Sequence, residues 1–292
     1  MISRIVLGTV QLGLPYGRRR SLPPMSEATA FRILDAAWTL GIRAFDTAEA
    51  YGSSAERMRK WSEARANFES LEIVTKVALE RPDLTAASFE ETANQALERF
   101  HGTSRLTILS HGPADPGRWA SIVAAAHKYN AGVGQSVYTA EEVRRALMLS
   151  VERIQVPGNV VDMRAISARG DSSAKLDVRS VYLQGILLEN PLRAEKRAPG
   201  SGRFVREIRS LAALLGTDLA PLLIASMLAT VRETDRLVIG VDSVEELDSV
   251  SAAFDLSREV VEEFTGNLET LAGDPDIEGF LDPRAWSPRI VY

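Results

Sequence analysis

The 292-residue chain contains no cysteine. That excludes disulfide staples, thiolate nucleophiles and cysteine-ligated zinc, and it fits a reducing compartment. Histidine is scarce as well: His101, His111 and His127 fall in three separate segments, so no metal site is expected. No apolar run approaches the ~18 residues that would span a bilayer. The opening MISRIVLGTVQLG reads as a strand entering a glycine turn and lacks the apolar stretch and cleavage site of a secretory leader. Neither sign of charge dominates. Lys and Arg number 34 against 39 Asp and Glu, a net charge of −5 in mixed order. That balance points away from nucleic acid and anionic membranes. The basic run Arg18-Arg19-Arg20 is short enough to be a solvated turn. The expectation is a cytoplasmic chain with no nucleic-acid and no membrane partner, its oligomeric state left open.

What is there is alternation. Hydrophobic residues make up 45% of the chain, enough for a sizeable core. Short β-branched runs recur at 4–7, 42–45, 72–77, 106–110, 132–137, 153–156, 177–182 and 236–239. Helical periodicity follows most of them, over 26–40, 54–68, 88–100, 116–128, 140–149 and 243–253. Ser26 has the character of an N-cap, and Gly41 that of a helix-ending glycine. Eight strands separated by helices favour a closed parallel sheet, a (β/α)8 or TIM barrel in the α/β class. An open, doubly wound sheet would carry a Gly-x-Gly-x-x-Gly turn after an early strand, and none is present. The length suits one such barrel as a single domain over residues 1–292, with a tail from about 257 to 292 packed over it. Three stretches break the repeat. Residues 190–202 read as a long polar loop, 218–231 as an extra helix before the eighth strand, and 274–292 as a tail lying over the barrel; besides these, 160–175 leave room for only a stunted helix.

Residues suited to carbonyl reduction stand at the strand ends. Such chemistry needs an acid to protonate the oxygen while hydride reaches the carbon. A tyrosine serves if a neighbouring ammonium lowers its pKa and a carboxylate holds that ammonium. Asp46 closes the second strand, Tyr51 lies five residues on, Lys76 ends the third strand and His111 the fourth. Catalytic groups of barrels occupy these C-terminal strand ends.

In Gly41, Asp46, Thr47, Ala48, Tyr51 and Gly52, and in LGTVQLG over 7–13, the chain resembles the aldo-keto reductase superfamily. The resemblance implies an NAD(P)-dependent oxidoreductase acting on an aldehyde, ketone or sugar-like carbonyl, or on the corresponding alcohol. It implies that Tyr51 is the general acid, tuned by Lys76 and Asp46, and that His111 orients the carbonyl. Ser136 and Gln155 match positions that hold the nicotinamide carboxamide. Residues 179–188, with Arg179, Ser180 and Gln184, match a loop over the pyrophosphate. Gly240, Val241 and Ser243 match the approach to the adenosine end, and Thr9 and Asp46 complete the implied cofactor set. Tyr16, Tyr51, His111 and Trp286 are the expected substrate contacts, while Trp119 reads as packing.

Some positions depart from the family pattern. Val137 stands where an Asn is usual, and Arg179 where an aromatic ring is usual. Residues 241–250 hold no Lys or Arg for an adenosine 2′-phosphate, so NADP(H) is the expectation from the resemblance with NAD(H) open. Two other readings stand beside the reductase. One is a non-catalytic nicotinamide-nucleotide-binding barrel acting as a regulatory or partner subunit. The other is a lyase or isomerase with Lys76 as a Schiff base.

Overall fold

The computed structural model describes residues 2–78, 86–149, 151–272, 275–283 and 286. Eight parallel strands pair in sequence order and close on themselves: β1 (Ile5–Gly8), β2 (Ala44–Asp46), β3 (Glu72–Ala78), β4 (Arg105–His111), β5 (Gly132–Ser136), β6 (Arg153–Pro157), β7 (Lys175–Arg179) and β8 (Arg236–Gly240). Pairing of Ile5 with Leu237 through Gly8 with Gly240 seals the barrel. The (β/α)8 expectation is met.

Local chemistry sets the helix starts. Ser26 caps α2 (Glu27–Thr39) by accepting from the Thr29 amide at 3.2 Å. Asp115 caps α5 (Pro116–Lys128), with Pro116 at a position where its missing N–H costs nothing. Thr139 and Glu142 form a reciprocal capping box at the head of α6 (Ala140–Leu147). The main core lies between strands and helices, where Ile33, Phe45, Trp61, Ile108, Ile154 and Leu176 are fully or almost fully buried. Val6, Ala44 and Val238 form a small cluster inside the barrel.

Three expected elements differ. The strand placed at 177–182 runs instead over Lys175–Arg179, because Ser180 (φ 64°), Leu183 (φ 48°) and Gln184 (φ 52°) take left-handed backbone that cannot extend a strand. The stretch 190–202, expected as loop, is mostly helical. Asn190 caps α8 (Pro191–Arg197) through the Leu192 amide, and α9 (Ser201–Leu214) begins within the stretch. The Glu195 carboxylate accepts from Gly200 and Gly202 N–H and fastens the turn between them. The helix expected to reach residue 68 ends sooner, as α3 (Ser54–Ala64).

Residues 160–175 do hold a single helical turn, α7 (Arg164–Ser167), and an extra helix precedes β8, α10 (Leu219–Thr230). The segment expected as a tail opens with α12 (Arg258–Ala272), whose Phe264 and Leu268 join a second core with Phe204, Leu222 and Phe280. Its last residues, 287–292, lie outside the described residues. Among the described residues no single helix is long and apolar enough to cross a membrane. Helices α9 (Ser201–Leu214) and α10 pass such a test only as a pair bent by 92°.

Candidate active site

Lys76 points into the barrel from β3 and is 1% exposed. Its ammonium donates to Asp46 Oδ1 at 2.5 Å, to the Thr47 carbonyl at 3.1 Å and to Tyr51 Oη at 3.4 Å. Asp46 ends β2, so the pairing of β2 with β3 is what brings carboxylate and ammonium together. Tyr51 sits on the loop between β2 and α3. That loop is seated on Gly13, where a Cβ would collide with the Tyr51 carbonyl oxygen and the Ser54 amide. Hydroxyls fix the same corner: Ser54 donates to Thr9 at 2.6 Å, and Thr9 to the Asp46 carbonyl at 2.8 Å. His111 closes β4, its ring edge-on to Tyr51 with centroids 6.3 Å apart. The structure therefore gathers Asp46, Tyr51, Lys76 and His111 at one end of the barrel.

The far side of Asp46 is also held. Gln155 donates from Nε2 to Asp46 Oδ2 at 2.7 Å and accepts at Oε1 from the Ser136 hydroxyl at 3.1 Å. Ser136 and Gln155, expected to hold a carboxamide, are fully buried and border neither cleft described below. Their hydrogen bonds link them to Asp46.

Electrostatics assign the protonation states. Burial, then Lys76 and Arg179, push the His111 pKa down to about 3, so the imidazole is neutral at physiological pH. Burial raises the Tyr51 hydroxyl well above 10, and Asp46 adds to this while Arg179 opposes it. The largest influence on the Tyr51 hydroxyl is its burial, and Lys76 Nζ lies 3.4 Å from it. Lys76 itself is lowered by burial, against the pull of Asp46.

Two clefts of about 380 and 400 Å³ meet at this point. Val10, Tyr16, Tyr51, Arg179, Ser180 and Gln184 border both. The first cleft runs past Thr9 and Asp46 to Gly240, Val241, Asp242 and Glu246. The second takes in His111, Tyr138, Asn159 and the C-terminal residues Leu281, Asp282 and Pro283.

Two expected contacts lie elsewhere. The Ser243 hydroxyl bonds the Glu245 carboxylate, outside both clefts. Trp286 donates to the Phe280 carbonyl at 3.1 Å and is 5% exposed in the second core. Trp119 packs partly buried against the main core.

Residues 4–115 match the sequence profile of the Aldo/keto reductase family. The closed eight-stranded barrel has the same fold as solved aldo-keto reductases, and its N-terminal part resembles that family in sequence. Its structure is similar to that of a thermostable aldo-keto reductase solved with the inhibitor epalrestat, at 20% identity and TM-score 0.65, covering 90% of this chain and 94% of that one. It is also similar to an aldo-keto reductase from Brucella melitensis (16% identity, TM-score 0.63, 90% and 92% covered). An aldo-keto reductase of the silkworm Bombyx mori gives 16% identity and TM-score 0.64, with 90% and 83% covered. No curated protein sequence matches the chain.

Residues of the first cleft fit an extended nucleotide. Asp242 Oδ1 is buried without a hydrogen-bond partner, which calls for a donor such as a sugar hydroxyl. At the opposite wall Gly185 (φ 87°) lies against the Arg18 side chain, where a Cβ would intrude. Arg18 in turn forms an ion pair with Glu246 and lies 3.7 Å from Asp242, bridging the cleft. The lack of cations over 241–250 is plain in the sequence, and the signal for this end of the cleft stands beside it as a pair of carboxylates four residues apart, Asp242 and Glu246.

Proposed function

We propose that the protein is an NAD(P)-dependent oxidoreductase that reduces an aldehyde, ketone or sugar-like carbonyl, or oxidises the matching alcohol, with Tyr51 as general acid. The observation that carries this is the place of Tyr51 where two clefts meet, its hydroxyl 3.4 Å from a buried ammonium. One cleft suits a nucleotide, and the other is bounded by His111. A bound reduced nicotinamide would supply the hydride. The neutral His111 holds the carbonyl oxygen in the second cleft by a hydrogen bond. Tyr51, protonated at neutral pH, gives its proton to that oxygen as negative charge develops there. Asp46 and Gln155 keep Lys76 beside the phenol. As a Schiff-base nucleophile Lys76 is poorly placed, since it is buried and donates to three acceptors.

The resemblance suggests NADP(H), but the charges of this cleft favour NAD(H). Asp242 and Glu246 would repel a 2′-phosphate and accept from a 2′-hydroxyl, and the nearby Arg18 is already engaged by both. Titration with NADH and NADPH, followed by nucleotide fluorescence, is the first test. NADH should bind more tightly, by about tenfold or more. Tyr51→Phe should lower kcat on any carbonyl substrate found by about 100-fold or more and leave the NADH Kd almost unchanged. Failure of both nucleotides to bind, or full turnover by the variant, would overturn the reading. Tight NADH binding with no turnover on a broad carbonyl panel would mark a binding subunit instead.

A further inference from the structure

Arg179 closes β7 and borders both clefts. Its guanidinium lies 4.2 Å over the Tyr138 ring, and Nη2 donates to the Val137 carbonyl at 3.2 Å. Nη1 reaches the Ser180 hydroxyl only at 3.5 Å. Among the described residues no carboxylate pairs with it. The buried arginines elsewhere in the barrel are treated differently: Arg153 and Arg236 face Asp177, and Arg169 faces Asp235.

The local charge balance is therefore uneven. Lys76 is matched by Asp46, and Asp162 at the rim of the second cleft is engaged by Arg164. Tyr51 and His111 are neutral, and the other acids of the second cleft, Glu278 and Asp282, come from the C-terminal segment, so among the described residues Arg179 is a half-buried positive charge beside Tyr51 with no carboxylate bonded to it. An unpaired charge withdrawn from water is costly, and a planar guanidinium fork fits a carboxylate with two parallel hydrogen bonds. The Tyr138 ring stacked on one face and the Val137 carbonyl hold the fork in a fixed orientation at the cleft wall.

We infer that Arg179 is a specificity-determining residue that binds an anionic group of the substrate, so that the preferred substrates are carbonyl compounds bearing a carboxylate. This rests on the reductase reading above. The carboxylate supplies the missing counter-charge in the second cleft, and its carbonyl is then presented to His111 and Tyr51. The same chemistry could come from a cofactor phosphate, and the two sources are separable.

The test compares matched acid and ester substrates with NADH: 4-carboxybenzaldehyde against methyl 4-formylbenzoate, and succinic semialdehyde against its methyl ester. The wild-type protein should favour the acid in kcat/KM by about tenfold or more, as expected for a charge-assisted bidentate contact. Arg179→Met should abolish the preference, chiefly through the KM of the acid, while Arg179→Lys should retain part of it. Equal loss on acid and ester, together with a weakened NADH Kd, would assign Arg179 to the cofactor and overturn the inference. So would an acid preference that survives in Arg179→Met.

If the wild-type protein reduces none of these aldehydes, the reductase reading is what fails. Calorimetric titration with benzoate and benzamide then judges the anion site alone. Benzoate binding lost in Arg179→Met upholds it, and absence of benzoate binding to the wild-type protein sinks it.

Discussion

Lys76 has three donors and three acceptors around it, and only one of those acceptors is the phenol. Lys76 thus combines charge balance for a buried carboxylate with contact to the phenol proposed as the acid, and a single substitution mixes the two. Lys76→Met strands the Asp46 charge and should destabilise the fold by about 3–5 kcal/mol besides lowering turnover. The double variant Lys76→Met with Asp46→Asn removes both charges. We expect thermal unfolding to show stability largely restored, while steady-state assays show activity still down by about 100-fold or more. Recovery of activity along with stability would limit Lys76 to a structural part. The four residues at this site were legible in the sequence because each ends a strand or follows one closely, and barrel strand ends share one face. The Gln155 contact with Asp46 was not legible. It spans 109 positions of sequence and depends on which side chains point inward across a closed sheet.

At the scale of elements, the opposite mouth of the barrel is closed by charge and not by carbon. Asp177 on β7 accepts from Arg153 on β6 at 2.7 Å and from Arg236 on β8 at 2.9 and 3.0 Å, and Arg236 also pairs with Glu72 on β3. Burial raises the Asp177 pKa, but the two arginines outweigh it and hold the group below 3.8. Its contribution is thus present above the ordinary carboxylate pKa and is lost as pH falls through the lowered folded value. Asp177→Ala leaves two guanidinium groups without their shared partner. A loss of about 3–5 kcal/mol is expected in denaturant unfolding at neutral pH, with the deficit shrinking in acid. A loss under about 1 kcal/mol would show that water solvates this end of the barrel. These contacts explain why the strand pattern was readable while one boundary was not. Alternation of apolar runs locates β6, β7 and β8, but the apolar residues after Arg179 continue a strand-like composition through a left-handed turn at Ser180. Helix α8 was hidden for the opposite reason, since Asn190 and Pro191 start helices as readily as they make loops.

For the molecule as a whole, the Asp242 end of the first cleft gathers two carboxylates, Asp242 and Glu246, about one guanidinium, Arg18. Burial, then Glu246, raise the Asp242 pKa to about 6, with Arg18 and Arg19 pulling it down. The sign follows from linkage. The unfolded chain releases this proton near 3.8 and the folded one near 6, so the protonated group stabilises the fold fully below 3.8 and that stability is lost as pH rises through 6. Asp242→Asn should then melt higher than the parent protein at pH 8, by about 1–2 kcal/mol after allowing for its exposed edge, and match it at pH 4. Nucleotide titrations of the same variant should show a narrower NADH-over-NADPH preference. Parallel melting curves at all pH values would remove Asp242 as the source of the pH dependence.

The buried line from Ser136 through Gln155 and Asp46 to Lys76 has a direction, because the Gln155 amide presents its nitrogen to the carboxylate and its oxygen to the serine. An amide nitrogen that donates to a carboxylate does not relay protons, so conduction through the barrel interior stops there. Under the proposed reduction Tyr51 would therefore regain its proton through the clefts it borders, so that the passage for substrate would also be the inlet for the proton.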